Sequence, residues 1–461
     1  MPDSTPTMEV DINANGQPEP RQPRLVSRLR QQMRSKLLRN ILTVVSGTAG
    51  AQVLTMLFMP VITRLYGPES YGVLGVFMGV VMMIVPAAAL SYPMAIVLPK
   101  RDTDAAAVVR LSLSIALGMA VLSALLLYWF GAPLVQAMGV EEITPFLMLL
   151  PLTMFCGAAL EIAQQWLIRH QLFRITAKVA IAHSLVHNLL RSAAGWIHAS
   201  AAVLVFTTAI GPLLHALMLL LGIRRGPKAA NTEESTLNPA EKGDTLAVAR
   251  RYSDFPLFRA PQMFINTVSQ NLPTLVLAAY FGPAAAGYFT LCKQALSMPT
   301  HLIGKSVADV YYPKITQAIH RQEPITAMLM KAVAGLAIVG LVPFGTVFFL
   351  GPWMFALVFG SEWASAGEFA RWLALAEYAI FISRPCTVAF PALSMQRLSL
   401  VFEIVSTTLR VSALFIGAAL LEDSLSTVIA FTVASIAIYL CLILLTAVES
   451  RRRFARGYRR A

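Results

Sequence analysis

Long apolar runs alternate along this chain with short polar breaks. The apolar stretches fall near 41–64, 73–98, 108–131, 145–168, 177–199 and 201–222. A second set follows near 257–281, 286–311, 328–350, 369–393, 399–421 and 425–448. About 20 mostly apolar residues in a helix cross about 30 Å of hydrocarbon, and within that layer a helix satisfies its own backbone. The pattern therefore predicts an all-α polytopic membrane protein of about twelve transmembrane helices. His183, His187, Asn188 and Arg191 interrupt the fifth stretch, which is the least regular. Residues 1–24 are polar and Pro-rich, a composition expected to be disordered. Leu25, Leu29 and Met33 then recur every four residues among Arg28, Arg30, Arg34 and Lys36. That spacing predicts a basic amphipathic helix on an anionic leaflet. The first apolar block is too long for a signal-peptide core, so no cleavable leader is expected.

The one long internal polar stretch, 223–251, contains Gly226, Pro227, Asn231, Pro239 and Gly243. It divides the spans into two sets of six. Each set carries the same turn after its first helix: Tyr66-Gly67-Pro68-Glu69-Ser70-Tyr71-Gly72 in one, Phe281-Gly282-Pro283-Ala284-Ala285-Ala286-Gly287 in the other. Both read aromatic-Gly-Pro-x-x-x-Gly. The match predicts two six-helix lobes related about an axis along the membrane normal, with the substrate site between them. The expected organisation is a basic cytoplasmic segment 1–40, a lobe 41–222, a cytoplasmic linker 223–256, a lobe 257–448 and a basic tail 449–461.

Composition narrows the class. The chain is 56% hydrophobic and only 13% charged, against about 25% charged residues in soluble domains, which excludes soluble enzymes. A net charge of +13 would suggest nucleic acid in a soluble protein. Here it reads as orientation, because Lys and Arg stay on the cytoplasmic side. With the N-terminus inside, alternate connections hold 29 of the 37 basic residues, while the opposite connections hold only Arg64 and Arg371. Both termini are thus expected in the cytoplasm, and nucleic acid is not an expected partner. Cys156, Cys292, Cys386 and Cys441 lie in apolar blocks without a CxxC pair and read as core residues. No metal or other cofactor is expected.

Six cations remain inside the spans: Arg191, Arg259, Lys293, Lys305, Arg384 and Arg410, with the acids Glu161, Asp309, Glu377 and Glu403. A charge at a helix centre costs about 2.5–3.5 kcal/mol on insertion scales, so most should face a cavity or one another. Arg259, Lys293 and Lys305 lie near span ends, where snorkelling is an equal reading. Lys305 and Asp309 also stand at i, i+4. Arg191, Arg384 and Arg410 lie deeper. Glu377 and Arg384 share a face of the tenth span, and Glu403 and Arg410 a face of the eleventh. A seven-residue separation is about 10 Å, which suits pairing between the two helices rather than within either. Arg259, Gln262, Asn266, Ser269 and Gln270 form a polar stripe along the seventh span; Thr48, Gln52 and Thr55 form a weaker one, read as helix-packing glue. The candidate substrate residues are therefore Arg191, Arg259, Gln262, Asn266, Gln270, Lys305, Arg384 and Arg410. Glu377, Glu403 and His187 are candidates for ion coupling. Guanidinium groups suit phosphate oxygens and amides suit sugar hydroxyls. No P-loop is present, and the membrane potential itself favours outward movement of an anion.

Gly47-Thr48-Ala49-Gly50-Ala51-Gln52, the run Pro60-Val61-Ile62-Thr63-Arg64-Leu65-Tyr66-Gly67-Pro68-Glu69-Ser70-Tyr71-Gly72 and Tyr92-Pro93-Met94-Ala95-Ile96-Val97-Leu98-Pro99 resemble the opening of Wzx-type polysaccharide flippases. So do Asp254-Phe255-Pro256, Gly287-Tyr288-Phe289, Pro299 and Tyr312-Pro313 in the second half. The resemblance implies the two-lobed fold of the multidrug/oligosaccharidyl-lipid/polysaccharide exporter superfamily and a place in the bacterial inner membrane. It implies alternating access, coupled to an ion gradient, and undecaprenyl-diphosphate-linked oligosaccharide as substrate for O-antigen, capsule or exopolysaccharide assembly. Polysaccharide polymerase and glycosyltransferases would be its partners. A drug or cation antiporter of the same superfamily would favour intramembrane acids over cations. A glycan polymerase or ligase would need an outer acid–base arrangement, and none is apparent. A non-transporting scaffold would leave the buried cations unexplained.

Overall fold

A computed structural model describes residues 24–225, 244–393 and 395–455. Expectations for 1–23, most of the 223–256 linker and the end of the tail lie outside the described residues.

The first helix, α1 (Arg24–Ala88), is broken at Gly67, whose φ of 69° and ψ of 171° are not helical. The basic segment thus runs as helix directly into the first span. Each arm beyond residue 46 has about the length a bilayer needs. The second arm stops at Ala88, short of the predicted 98. Leu90 and Ser91 take positive φ, and a 3₁₀ turn, Tyr92–Val97, follows with Pro93 in its first turn. Then come α2 (Asp102–Ala137), α3 (Leu149–Arg169), α4 (Phe173–Ile197) and α5 (Ala201–Arg225). A short helix, α6 (Thr245–Arg251), leads into a π turn, Phe255–Arg259. The second half comprises α7 (Ala260–Phe281), α8 (Pro283–His320), α9 (Ile325–Phe359), α10 (Ala364–Ala392), α11 (Gln396–Leu420) and α12 (Ser424–Ala455).

By length and composition, α1, α2, α5, α9, α10, α11 and α12 could each cross a membrane. The helices α3, α4, α7 and α8 are long enough but more polar, and three of them carry candidate site residues. Leu117, Leu125, Tyr128 and Trp129 of α2 are more than half exposed. A side so apolar needs lipid, not water, as its solvent.

Helices α2 to α5 pack among themselves and on α1, while α7 to α12 pack mainly on one another. The halves meet where α1 lies against α7 and α8. There the two repeated turns face each other. Gly282 takes φ 82°, ψ 176°, nearly the conformation of Gly67. A Cβ on Gly72 would lie 1.7 Å from the Pro283 carbonyl oxygen, and one on Gly287 would lie 2.2 Å from that of Pro68. The contact is reciprocal, each turn setting its last glycine against the proline carbonyl of the other. Glycine is needed because backbone touches backbone.

Trp363 seals this seam. Almost fully buried, it packs edge-on against Tyr71 and Tyr288, and its indole donates to the Thr63 carbonyl at 3.1 Å. Arg64 adds a bond to the Leu357 carbonyl at 2.6 Å.

Candidate functional site

A cavity of about 740 Å³ opens within the second half, between α7, α8, α10, α11 and α12, with Met82 of α1 on its rim. Its size falls in the range of small-molecule sites, but its chemistry is unusual for a membrane interior. From α7 it receives Asn266, Ser269 and Gln270, from α8 Lys293 and Thr300, from α10 Glu377 and Arg384, and from α11 Glu403, Ser406 and Arg410.

The polar groups are held in place by one another. Lys293 Nζ donates to the Gln270 carbonyl, which tethers α8 to α7. Thr300 donates to Glu377 Oε2 at 3.2 Å, and Lys293 and Arg384 are within electrostatic reach of that carboxylate. Arg410 Nη2 approaches Glu403 at 3.9 Å, its Nε donates to the Ser406 carbonyl, and its guanidinium stands 5.8 Å from the centre of the Tyr439 ring. Arg384 Nε is buried with no hydrogen-bond partner among the described residues. Three cations against two acids leave the cavity net positive.

Sequence reasoning excluded a pairing of Glu403 with Arg410 inside one helix, and the structure corrects that. Side chains on a helix lean toward its N-terminus. Arg410 therefore reaches back along α11 past Ser406 and closes the seven-residue gap.

Of the candidates, Asn266, Gln270, Glu377, Arg384, Glu403 and Arg410 come together on this cavity. Arg259 and Gln262 do not reach it. They bond to each other at 3.1 Å near the start of α7. Arg259 ends the π turn at Phe255–Arg259, and the cavity lining on α7 begins only at Asn266, so the stripe runs on past the end of the cavity. The side chain of Lys305, like that of Asp309, lies outside the described residues. His187 is in the first half, on α4, where its Nε2 bonds to the Thr207 carbonyl and its ring stacks on His183. His183 stacks in turn on His215 of α5. Arg191 also belongs to the first half, buried beside Tyr66 and Tyr71.

Lys293, Thr300, Ser406 and Tyr439 line the cavity without having been among the candidates. Lys293 carried a signal, an intramembrane charge, but its place near a span end equally allowed snorkelling. Tyr439 carried none, being one aromatic residue in a strongly apolar helix. Thr55, read as glue, bonds to Ser184 and Asn188 of α4.

Comparison with known proteins bears on both fold and family. The chain is 25% identical over 353 residues to the succinoglycan biosynthesis transport protein ExoT of Rhizobium meliloti (strain 1021), covering 76% of this chain. The match spans 66% of that relative, just under two thirds of its length. An inward-facing multidrug resistance MATE family transporter of the MOP superfamily has the same fold, with a TM-score of 0.71 at 14% identity, over 89% of this chain and 96% of that one. A MOP superfamily transporter from Pyrococcus furiosus, described as having a binding pocket of reversed polarity, gives 0.61 at 14% identity over 91% and 96%. The protein is thus a multi-pass inner-membrane protein with a MOP transporter fold. Residues 61–368, two thirds of the sequence, match the family described as polysaccharide biosynthesis protein, and the chain belongs to that family.

Proposed function

We propose that this protein flips undecaprenyl-diphosphate-linked oligosaccharide units from the cytoplasmic to the periplasmic leaflet for surface polysaccharide assembly. The observation that carries this reading is the cavity itself. Lys293, Arg384 and Arg410 stand inside a membrane protein beside Asn266 and Gln270. A site for cationic drugs would invert that balance, whereas a diphosphate bearing sugars needs guanidinium groups for its oxygens and amides for its hydroxyls. The relationship to a succinoglycan transport protein supports the same substrate class.

The proposal includes twelve spans in two lobes, with both termini and the 223–256 linker in the cytoplasm. In that orientation the sealed seam is the outer one, and the structure is closed to the periplasm. Arg259, Gln262 and Lys305 remain candidates for the path of entry, and Glu377, Glu403 and His187 for ion coupling.

Deleting the gene tests the reading. Surface polysaccharide should disappear while lipid-linked single units accumulate on the cytoplasmic leaflet. Single units that reach the outer leaflet unpolymerised would point instead to a polymerase. Unchanged glycan with new drug sensitivity would point to an antiporter.

A further inference from the structure

Arg191 is 8% exposed, yet among the described residues no carboxylate pairs with it and its Nε has no hydrogen-bond partner. The titratable groups near it are Tyr66, Tyr71 and His187, none of them an anion at neutral pH. A guanidinium does not escape by losing its proton. An unpaired charge buried in this way is costly to the fold, and such a charge marks a place where a counter-ion arrives.

A second pocket, of about 260 Å³, lies at the seam between Gln52, Thr55, Met56 and Met59 of α1 and Gln294 and Ser297 of α8. Arg191 does not line this pocket, but two of its neighbours bond to the wall. Asn188, one turn away on α4, donates to Thr55 at 3.3 Å. Tyr71 donates to Gln294 Oε1 at 2.8 Å, which orients that amide with its N–H₂ group turned away from the tyrosine. Ser297 lines both this pocket and the larger cavity, so the two adjoin.

We propose that the seam pocket, with Arg191 behind it, is a second binding station for the anionic, hydroxyl-bearing head group, filled when the outer seam opens. The proposal rests on the flippase reading and deepens it. In the closed state the Arg191 Nε has no hydrogen-bond partner among the described residues. Separation of α1 from α8 would expose it, and the head group could then pass from the cavity cations to Arg191, with Gln52 and Gln294 taking sugar hydroxyls.

The test uses full-length protein in liposomes with Cys441→Ser, the substitution that removes the exposed native thiol. Met56→Cys places a reporter thiol in the pocket, and undecaprenyl diphosphate is the probe. The probe should slow maleimide labelling about tenfold. Arg191→Gln should abolish that protection, Arg191→Lys should keep part of it, and Gln294→Ala should weaken it. Arg410→Ala should leave it in place. The unfolding midpoint of Arg191→Gln should equal or exceed that of the parent, because a costly buried charge has gone. Undiminished protection in Arg191→Gln would overturn the station, as would a lowered midpoint, which would make Arg191 a structural residue. Probe bound by the parent protein without protection at the reporter would overturn the station alone. No probe bound at all would overturn the flippase reading with it.

Discussion

Arg191 in the first half and Arg410 in the second are the same side chain buried in one membrane protein, and they are held in opposite ways. Arg410 has Glu403, a backbone carbonyl and the Tyr439 ring around it. Arg191 has two tyrosines and no acid among the described residues. The difference shows that a cation in a span does not define a site by its presence. A paired cation adds little net charge and can hold a cavity in shape, whereas an unpaired one keeps its full attraction for an incoming anion. The half with the cavity spreads a net positive charge over Lys293, Arg384 and Arg410 beside Glu377 and Glu403; the other half holds one arginine with no acid beside it among the described residues.

Removing charge from the cavity gives the largest effect and breaks the comparison most directly. Arg410→Ala and Arg384→Ala should each slow flipping by about tenfold or more, since a hydrogen bond from a charged group to the substrate is worth about 1.5–3 kcal/mol. Membrane abundance should hold, as measured by immunoblotting of isolated membranes beside a vesicle flipping assay. Near-normal flipping in either variant would remove that arginine from the substrate path.

The seam offers the next test, because the Arg191 station depends on its opening. Gly72→Ala places a methyl group against the Pro283 carbonyl, and Gly287→Ala does the same against Pro68. Overpacking of this kind costs about 1–3 kcal/mol, here charged wholly to the closed state. Either variant should therefore shift the protein toward an open outer seam. Impermeant thiol reagent applied from outside should then reach Met56→Cys at least fivefold faster. Trp363→Phe keeps most of the packing but loses the bond to the Thr63 carbonyl, worth about 1 kcal/mol. It should shift the same readout by a smaller factor.

The sequence already contained most of this fold. Apolar blocks of bilayer length located the long helices, and the two Gly-Pro turns marked where the halves meet. The end of the second span was not legible, because Tyr92–Val97 is apolar enough to continue a helix and only its backbone departs from one. The candidate site was legible where helical periodicity held, at Asn266 and Gln270, Glu377 and Arg384, Glu403 and Arg410. It failed at Arg259 and Gln262, where the polar stripe continues along the helix past the end of the cavity. Position in the sequence also cannot say whether a buried arginine has a partner on another helix, which is the very property that separates Arg191 from Arg410.

The smallest expected effect lies outside the hydrocarbon, and it tests whether the second half's polar groups act only within the cavity. Asp423 precedes α12, and its Oδ2 accepts from the Ser426 backbone N–H and hydroxyl, both at 2.9 Å. The Ser426 N–H leads the causes that hold this carboxyl below the usual carboxylate range. Because the folded value is depressed, the stabilisation is present above the ordinary carboxylate value of about 3.9, and it fades as pH falls through the lower folded value. Asp423→Ala should cost about 1 kcal/mol at neutral pH, a typical loss for a helix cap, while Asp423→Asn, also a good cap, should cost far less. Both should leave flipping unchanged. The gap between Asp423→Ala and the parent in detergent unfolding should narrow below about pH 4. A gap that persisted there would mean that the cap works through shape rather than charge.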